Sequence, residues 1–407
     1  MMTIKHERVV INFDKTTGTI GQITLLGKKS DYGVIDLNEI PEMEDAKLIE
    51  EDSIKINLKN EHITINKFVL PDKIRTVSPK IFAKSGNQVE IKEFVWPKAC
   101  MSIPPCCLRG CHIGKLSNID HVVSVDASAF EDTCIEEMRW PSNCKTIPSS
   151  CFYMSTIGKI ENLEHVSIIE DGAFSKCFIK RFDIPQNVTY IPHNCFANST
   201  LEEITGTEHL KKIGPSAFMH CRLTSFDWPS KCKIVPAACF SATVTLSKVT
   251  NLKNVTSVGK DAFFGTAIRE AEFSEKLEEI GADAFHGSKL ERISGIRNVK
   301  EVGEFAFAEI KSFKGAFEWP EKCGTIKEYT FFASELEDLT GLDKVISIET
   351  HAFERTTVPI IDLSSSICLK IAQKAFNNAE ISEIRLGYYL TDIDETAFSN
   401  TNARILK

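Results

Sequence analysis

The sequence carries no surplus of basic residues: 48 lysines and arginines stand against 56 aspartates and glutamates, a formal charge of -8. This argues against a nucleic-acid backbone or an anionic membrane as main partner, because neither attracts an acidic surface. No apolar run approaches the ~18 residues of a spanning helix, and the start, MMTIKHERVVINFDKTTG, lacks the basic segment, apolar core and cleavage site of a secretory signal. The expectation is a cytoplasmic chain whose 14 cysteines are reduced thiols. Catalytic signatures are missing too. There is no GxSxG and no HExxH, and in GQITLLGKKS Lys29 stands where a phosphate-binding loop needs Ser or Thr. The chain reads as no enzyme, with no cofactor and no metal.

What the sequence does have is a repeat. One series runs Phe82, Leu108, Phe130, Phe152, Phe174, Phe196, Phe218, Phe240, Phe263, Phe285, Phe307, Phe331, Phe353, Phe376 and Phe398, and after a first step of 26 every step is 22 to 24 residues. Five residues before each of these anchors stands an aliphatic, from Val77 and Ile103 to Ile371 and Ile393. Eight before lies a second apolar row that includes Val122, Leu210 and Val299, with cysteine in the remaining places. All 4 tryptophans, Trp96, Trp140, Trp228 and Trp319, sit twelve before an anchor and precede proline.

These rows describe about fifteen coils in alternating pairs. In "FDWP" the residues point inward, outward and inward before proline ends the strand, since proline cannot donate to a ladder. The segment "CKTI" or "VTSV" predicts a second short strand, and "PSSCF" or "GPSAF" a tight helical turn that inserts its phenylalanine. No coil buries its apolar edge alone, so stacking must supply the core. The units VTSVGKDAFFGTAI, LEEIGADAFHGSKL and LKKIGPSAFMHCRL resemble the BspA-like leucine-rich repeats. The resemblance runs from about Lys67 to the C-terminus and implies a repeat solenoid, a right-handed leucine-rich-repeat coil of short parallel β-strands with tight helical turns. It divides the chain into residues 1–66, an N-terminal β-hairpin or cap segment, and residues 67–407, the solenoid. The hairpin is read from RVVINFDKTTGTIGQITLL, which alternates on both sides of KTTGT.

Four cysteines and a histidine lie between Cys100 and His112, in CMSIPPCCLRGCH. The spacing is CxxxC without a second matching pair, which does not fit the common zinc knuckle. Thirteen of the 14 cysteines instead occupy fixed repeat positions, as small buried hydrophobes do. Cys106 alone falls in no cysteine row and is the candidate reactive thiol, while Cys111 and Cys134, on neighbouring coils, are the one pair whose positions permit a disulfide.

What remains is a surface. About thirteen residues before each anchor lies an outward row in which Asp183, Thr205, Asp227, Thr250, Glu272, Ser294, Glu318, Thr340 and Asp362 alternate acid and hydroxyl. Two readings apply to it: solubility and register on an exposed sheet, or a binding face for a basic or hydroxyl-rich partner. The function expected is a non-catalytic protein–protein interaction module. The family resemblance implies adhesin-like binding at the cell surface; the absence of a signal favours a cytosolic scaffold or a subunit of a larger assembly. A third reading is a ligand-binding or catalytic subunit that uses residues 1–66.

Overall fold

The structure, a computed structural model, describes residues 1–6, 9–25, 31–56, 63–82 and 89–407. It is a parallel β-solenoid of about fifteen turns, and its contacts divide it into two compact units. The first comprises Met1–Lys180 with Pro185–Val188 and Asn198–Thr200; the second comprises Arg181–Ile184, Thr189–Ala197 and Leu201–Lys407.

The first unit opens with an antiparallel meander, β1 (Met2–His6), β2 (Val9–Asp14) and β3 (Thr19–Leu25). Alternation in β2 buries Val9, Ile11 and Phe13 on one side. The β2–β3 turn closes on Asp14, whose carboxylate accepts from the Thr16 amide at 2.9 Å and whose carbonyl accepts from the Gly18 amide at 2.8 Å. Gly18 has φ +71°, and a Cβ there would stand 2.6 Å from the Asp45 carbonyl, so both the turn and the close approach call for glycine. β3 then pairs in parallel with Leu48–Ile49 and Ile54–Ile56.

The repeat's ladder begins inside the segment 1–66. β4 (Asp31–Asp36) is the first of six parallel strands, followed by Ile63–Val69, Val89–Val95, His112–Ser117, Cys134–Arg139 and Thr156–Glu161. This first coil carries no phenylalanine anchor, which is why its phase is hard to see in the sequence.

In the second unit the outward strands shorten to three residues and pair off: Arg181–Asp183 with Glu203–Thr205, Ser225–Asp227 with Lys248–Thr250, Glu270–Glu272 with Arg292–Ser294, and Ala316–Glu318 with Asp338–Thr340. The aliphatic row forms the second strands, as in the parallel set Ile234–Val235, Ser257–Val258, Glu279–Ile280 and Glu301–Val302.

Tryptophan explains part of the pairing. Trp96, Trp140, Trp228 and Trp319 are fully buried, and each indole N–H donates to the carbonyl of the cysteine four residues on, at 2.8 to 3.2 Å. The tryptophan's own carbonyl is satisfied by the next coil, where Asn118, Asn162 and Asn251 donate their side-chain amides to Trp96, Trp140 and Trp228, each at 2.7 Å. All three asparagines have φ near +60°, a conformation this side chain tolerates. Beside Trp319 the same place is Gly341, at φ +77°, where a Cβ would lie 2.7 Å from the Trp319 carbonyl. Each Trp-Pro coil is thus followed by a coil with Asn or Gly at this place, and Gly206 and Gly295 hold the same place beside Ile184 and Phe273.

The segment around each anchor is a run of hydrogen-bonded turns bracketed by left-handed residues. Ser128 and Asp132 flank Phe130, Ser150 and Met154 flank Phe152, and His351 and Arg355 flank Phe353, all with φ between +54° and +58°. The turns also bond coil to coil, as where the Phe263 amide donates to the Ala284 carbonyl at 2.8 Å and the Phe285 amide to Ala306 at 2.9 Å. Inside, the anchors stack. Phe130, Phe152 and Phe174 lie 5.2 to 5.3 Å apart in the first unit. In the second the stack runs from Phe196 to Phe398 with centroids 5.2 to 5.9 Å apart and rings within 17° of parallel.

Candidate interaction face

The cysteines follow the coil. Three residues after the anchor, a small polar side chain reaches back to the carbonyl of the preceding anchor: Thr243 to Phe218 at 2.7 Å, Ser334 to Phe307 at 2.6 Å and Thr356 to Phe331 at 2.6 Å. The Cys221 thiol does the same to Phe196 at 3.0 Å. In the row eight before the anchor, the Cys144 and Cys232 thiols face the Val122 and Leu210 carbonyls of the preceding coil, each at 3.7 Å, and burial pushes both up to about 11. None of the 14 cysteines is joined in a disulfide, Cys111 being buried and Cys134 half-buried. Among the described residues no three His, Cys, Asp or Glu side chains converge to hold a metal ion.

Cys106 has a place in the coil after all. With φ +52° it fills the left-handed position two before its anchor, where other coils carry Lys80, Ser128 and Ser150. Its thiol is half-buried and lies 3.7 Å from the Glu131 carboxylate. Burial first and then the Glu131 charge push that thiol up, which lowers the fraction present as the nucleophilic thiolate. Histidines of the Asn-type coils bond to the preceding coil: His121 to the Pro97 carbonyl at 3.0 Å and His165 to the Pro141 carbonyl at 2.9 Å.

The outward row lies on the strands as its spacing requires, with Asp183 beside Thr205, Asp227 beside Thr250, Glu272 beside Ser294 and Glu318 beside Thr340. All eight are exposed, and Asp362 is half-buried. Two of the hydroxyls do more than separate like charges: Thr205 donates to Asp183 at 2.7 Å and Thr250 to Asp227 at 2.6 Å. Asp362 accepts from the Ser364 hydroxyl at 2.6 Å and from Arg385 at 2.9 Å, and these bonds, the Ser364 hydroxyl first, hold its carboxyl below the usual range. Glu272 and Glu318 have no hydrogen-bond or ion-pair partner among the described residues. They are the carboxylates of the row open to a ligand.

Two residues earlier on the same strands runs a charge ladder that reading the single acid–hydroxyl row overlooks. In the first unit Lys67, Glu93, Lys115, Glu137 and Lys159 alternate across neighbouring strands, with Lys67 3.0 Å from Glu93 and Lys115 3.7 Å from Glu137. In the second, Arg181 meets Glu203 at 3.0 Å and Arg292 meets Glu270 at 3.7 Å. The face is thus a lattice of both signs. The signal is present in the sequence, as residues of alternating charge two places before the acid–hydroxyl row.

This face also carries two grooves in the second unit. A groove of about 500 Å³ lies over Glu270, Glu272, Arg292 and Ser294 and is walled by Phe313 and Lys314. A second of about 450 Å³ lies over Lys248, Thr250 and Lys253 and shares Glu270, Glu272 and Glu291 with the first. Their outer walls belong to the coils that lead to Phe263 and Phe331, whose steps of 23 and 24 residues enclose two steps of 22. The longer coil before Phe331 holds Phe313 against Phe317 at 5.2 Å, with Gly315 at φ +71° turning the chain. At the shared wall, Glu291 binds Arg269 and Lys314, each at 2.7 Å, and the Lys314 bond leads the causes that hold its carboxyl down.

Comparison with known proteins bears on the coil. The family model described as BspA type leucine rich repeat region, in 6 copies, matches residues 52–180, 167–291 and 278–405. Among solved structures, a leucine-rich repeat protein from Bacteroides ovatus superposes with a TM-score of 0.60 at 18% identity, over 99% of this chain and 100% of that one. A leucine-rich repeat protein from Eubacterium ventriosum gives 0.37 at 16% identity over 97% and 93% of the two chains. A leucine rich cell surface protein from Faecalibacterium prausnitzii gives 0.34 at 15% identity over 100% and 94%. The first shows the fold; the scores of the other two are too low to add to it. No curated protein matches the chain.

Proposed function

Given that the chain belongs to the BspA type leucine-rich repeat family, we propose that it is a non-catalytic protein-interaction module whose partner docks on the outward strand face. The observation that carries the reading is the pair of unengaged carboxylates, Glu272 and Glu318, on the face that also holds the grooves. Asp227 and these two acids meet basic or hydroxyl-rich groups of the partner. The rest of the row, from Asp183 to Asp362, sets register and solubility around them. A stacked scaffold suits this role because its rows are fixed by the core, so the partner pays little ordering entropy on the protein's side.

The test is affinity capture from the native source with wild type and with a variant carrying Asp227→Lys, Glu272→Lys and Glu318→Lys. Capture by the variant falls by about tenfold or more at low salt and the difference narrows as salt rises. Unchanged capture removes the row from the account. Cell fractionation then separates adhesin-like display at the surface from a cytosolic scaffold or assembly subunit.

A second reading is supported by a pocket of about 230 Å³ in the first unit, lined by His6, Val9 and the β4 residues Gly33 to Asp36. In that reading residues 1–66 bind a small ligand besides covering the first coils. Deletion of residues 1–66 that leaves a soluble, folded chain counts against the cap role, and partner capture that survives it counts against a docking role for the segment.

A further inference from the structure

The two grooves of the second unit differ in charge from the chain around them. Their cations are Lys248, Lys253, Arg269, Arg292 and Lys314; their carboxylates are Glu270, Glu272 and Glu291. Five positive groups against three negative give a local excess of two on a chain whose formal charge is -8. The pairing inside the grooves accounts for some of these charges. Glu291 holds Arg269 and Lys314, and Glu270 holds Arg292. Lys248 and Lys253 are both exposed and have no carboxylate partner among the described residues.

We infer that the paired grooves take an extended acidic segment of a protein partner, its carboxylates seated on Lys248 and Lys253 and on the cations shared around Glu291. The inference rests on the reading that the strand face is the binding face and adds the chemistry of what lies in it. Geometry favours an extended chain: the cationic strands follow one another at ~4.8 Å across the coils, and alternate residues of an extended peptide repeat at ~6.8 Å, so a segment crossing the four coils sets two or three same-side carboxylates over the lysines and arginines. Concavity matters as much as charge, because walls of low dielectric focus the field of the groove's cations on whatever enters. The unengaged carboxylate of Glu272, at the middle of the floor, takes a basic or hydroxyl side chain of the partner rather than a carboxylate and so sets the segment's register. A partner with acid in the grooves and base over Glu318 matches the face in both signs.

The test uses the full chain and a fluorescein-labelled hexaglutamate peptide followed by anisotropy at 50 mM and 300 mM salt. The wild type binds saturably at low salt. Lys248→Ala with Lys253→Ala weakens binding by about fivefold, the effect of losing two exposed ion pairs. Lys231→Ala with Lys233→Ala removes the same charge from exposed sites of the second unit outside the grooves and leaves the affinity within about twofold. Absence of saturable binding by the wild type, or an equal loss in the control pair, overturns the inference. Because the strand face is tested separately by capture with the Asp227, Glu272 and Glu318 variant, a failed peptide titration beside an effective triple variant removes the grooves' ligand while leaving the face in place.

Discussion

Phe263 and Phe264 are neighbours in sequence and opposites in structure, and replacing each by alanine tests the coil directly. Phe263 is 0% exposed and lies between Phe240 at 5.7 Å and Phe285 at 5.3 Å, its ring within 15° of both. Phe264 is 36% exposed and makes an edge contact with His286 at 5.0 Å. Deleting a buried phenylalanine side chain costs about 3 to 5 kcal/mol, made up of lost transfer energy, the residual cavity and the two ring contacts. Phe264→Ala costs about 1 kcal/mol or less, since solvent already reaches much of its ring. In a stack where each coil touches only its neighbours, the buried substitution also weakens coupling between the two sides. Urea unfolding should therefore show Phe263→Ala with a lower midpoint and a shallower or split transition, and Phe264→Ala with a single transition close to wild type. Equal shifts for the two variants, or a Phe263→Ala cost below about 1.5 kcal/mol, would refute the claim that the anchors form the core.

Three further outcomes follow from the same geometry. Trp228→Phe leaves the buried Cys232 carbonyl without the indole donor at 2.8 Å and costs about 1 to 3 kcal/mol in denaturant unfolding; a cost near zero would show that the indole bond does not hold the Trp-Pro coil. Titration of native protein with a disulfide reagent at neutral pH labels at most two thiols, Cys106 and Cys134, the half-buried pair among 14, and labels both more slowly than a free thiol because burial pushes each of them up. Prompt labelling of four or more would contradict the buried rows, and a fast Cys106 would establish it as a reactive thiol. Asp362 has its carboxyl held down in the folded state by Ser364 and Arg385, so its contribution is present above the ordinary value of 3.8 and is lost as pH falls through the folded value. The melting temperature of wild type should drop more than that of Asp362→Asn between pH 7 and pH 3, by an amount worth about 1 kcal/mol or less; parallel curves would dismiss the linkage.

The solenoid was legible because its signal is repeated. An inward phenylalanine, an aliphatic five residues earlier and a proline after the tryptophan recur at one spacing, and each coil confirms the phase of the next. The first coil, Asp31 to Asp52, escaped because without an anchor it offers no phase, although its strand pairs with Ile63–Val69 like any other. The left-handed residues on both sides of each anchor were equally hidden. Side chains as different as Ser128, Cys106, Phe305 and Tyr329 occupy that position, since its conformation is imposed by coil-to-coil hydrogen bonds and leaves no consistent residue type. That is why Cys106 looked like a residue without a row.

Sequence alone determined which residues of the anchored coils face inward, the spacing at which those coils stack and where the acid–hydroxyl row runs, because periodicity of burial is a one-dimensional property written into the order of residues. It could not say which charges remain unspent. Whether a carboxylate such as Glu272 is open, or one such as Asp227 already accepts from a hydroxyl at 2.6 Å, depends on the register between coils some 22 residues apart and on side-chain reach across a ~4.8 Å gap. The grooves depend on coil length in the same way: the coils that lead to Phe263 and Phe331, one and two residues longer than their neighbours, form the outer walls, and only stacking turns that difference in length into a shape.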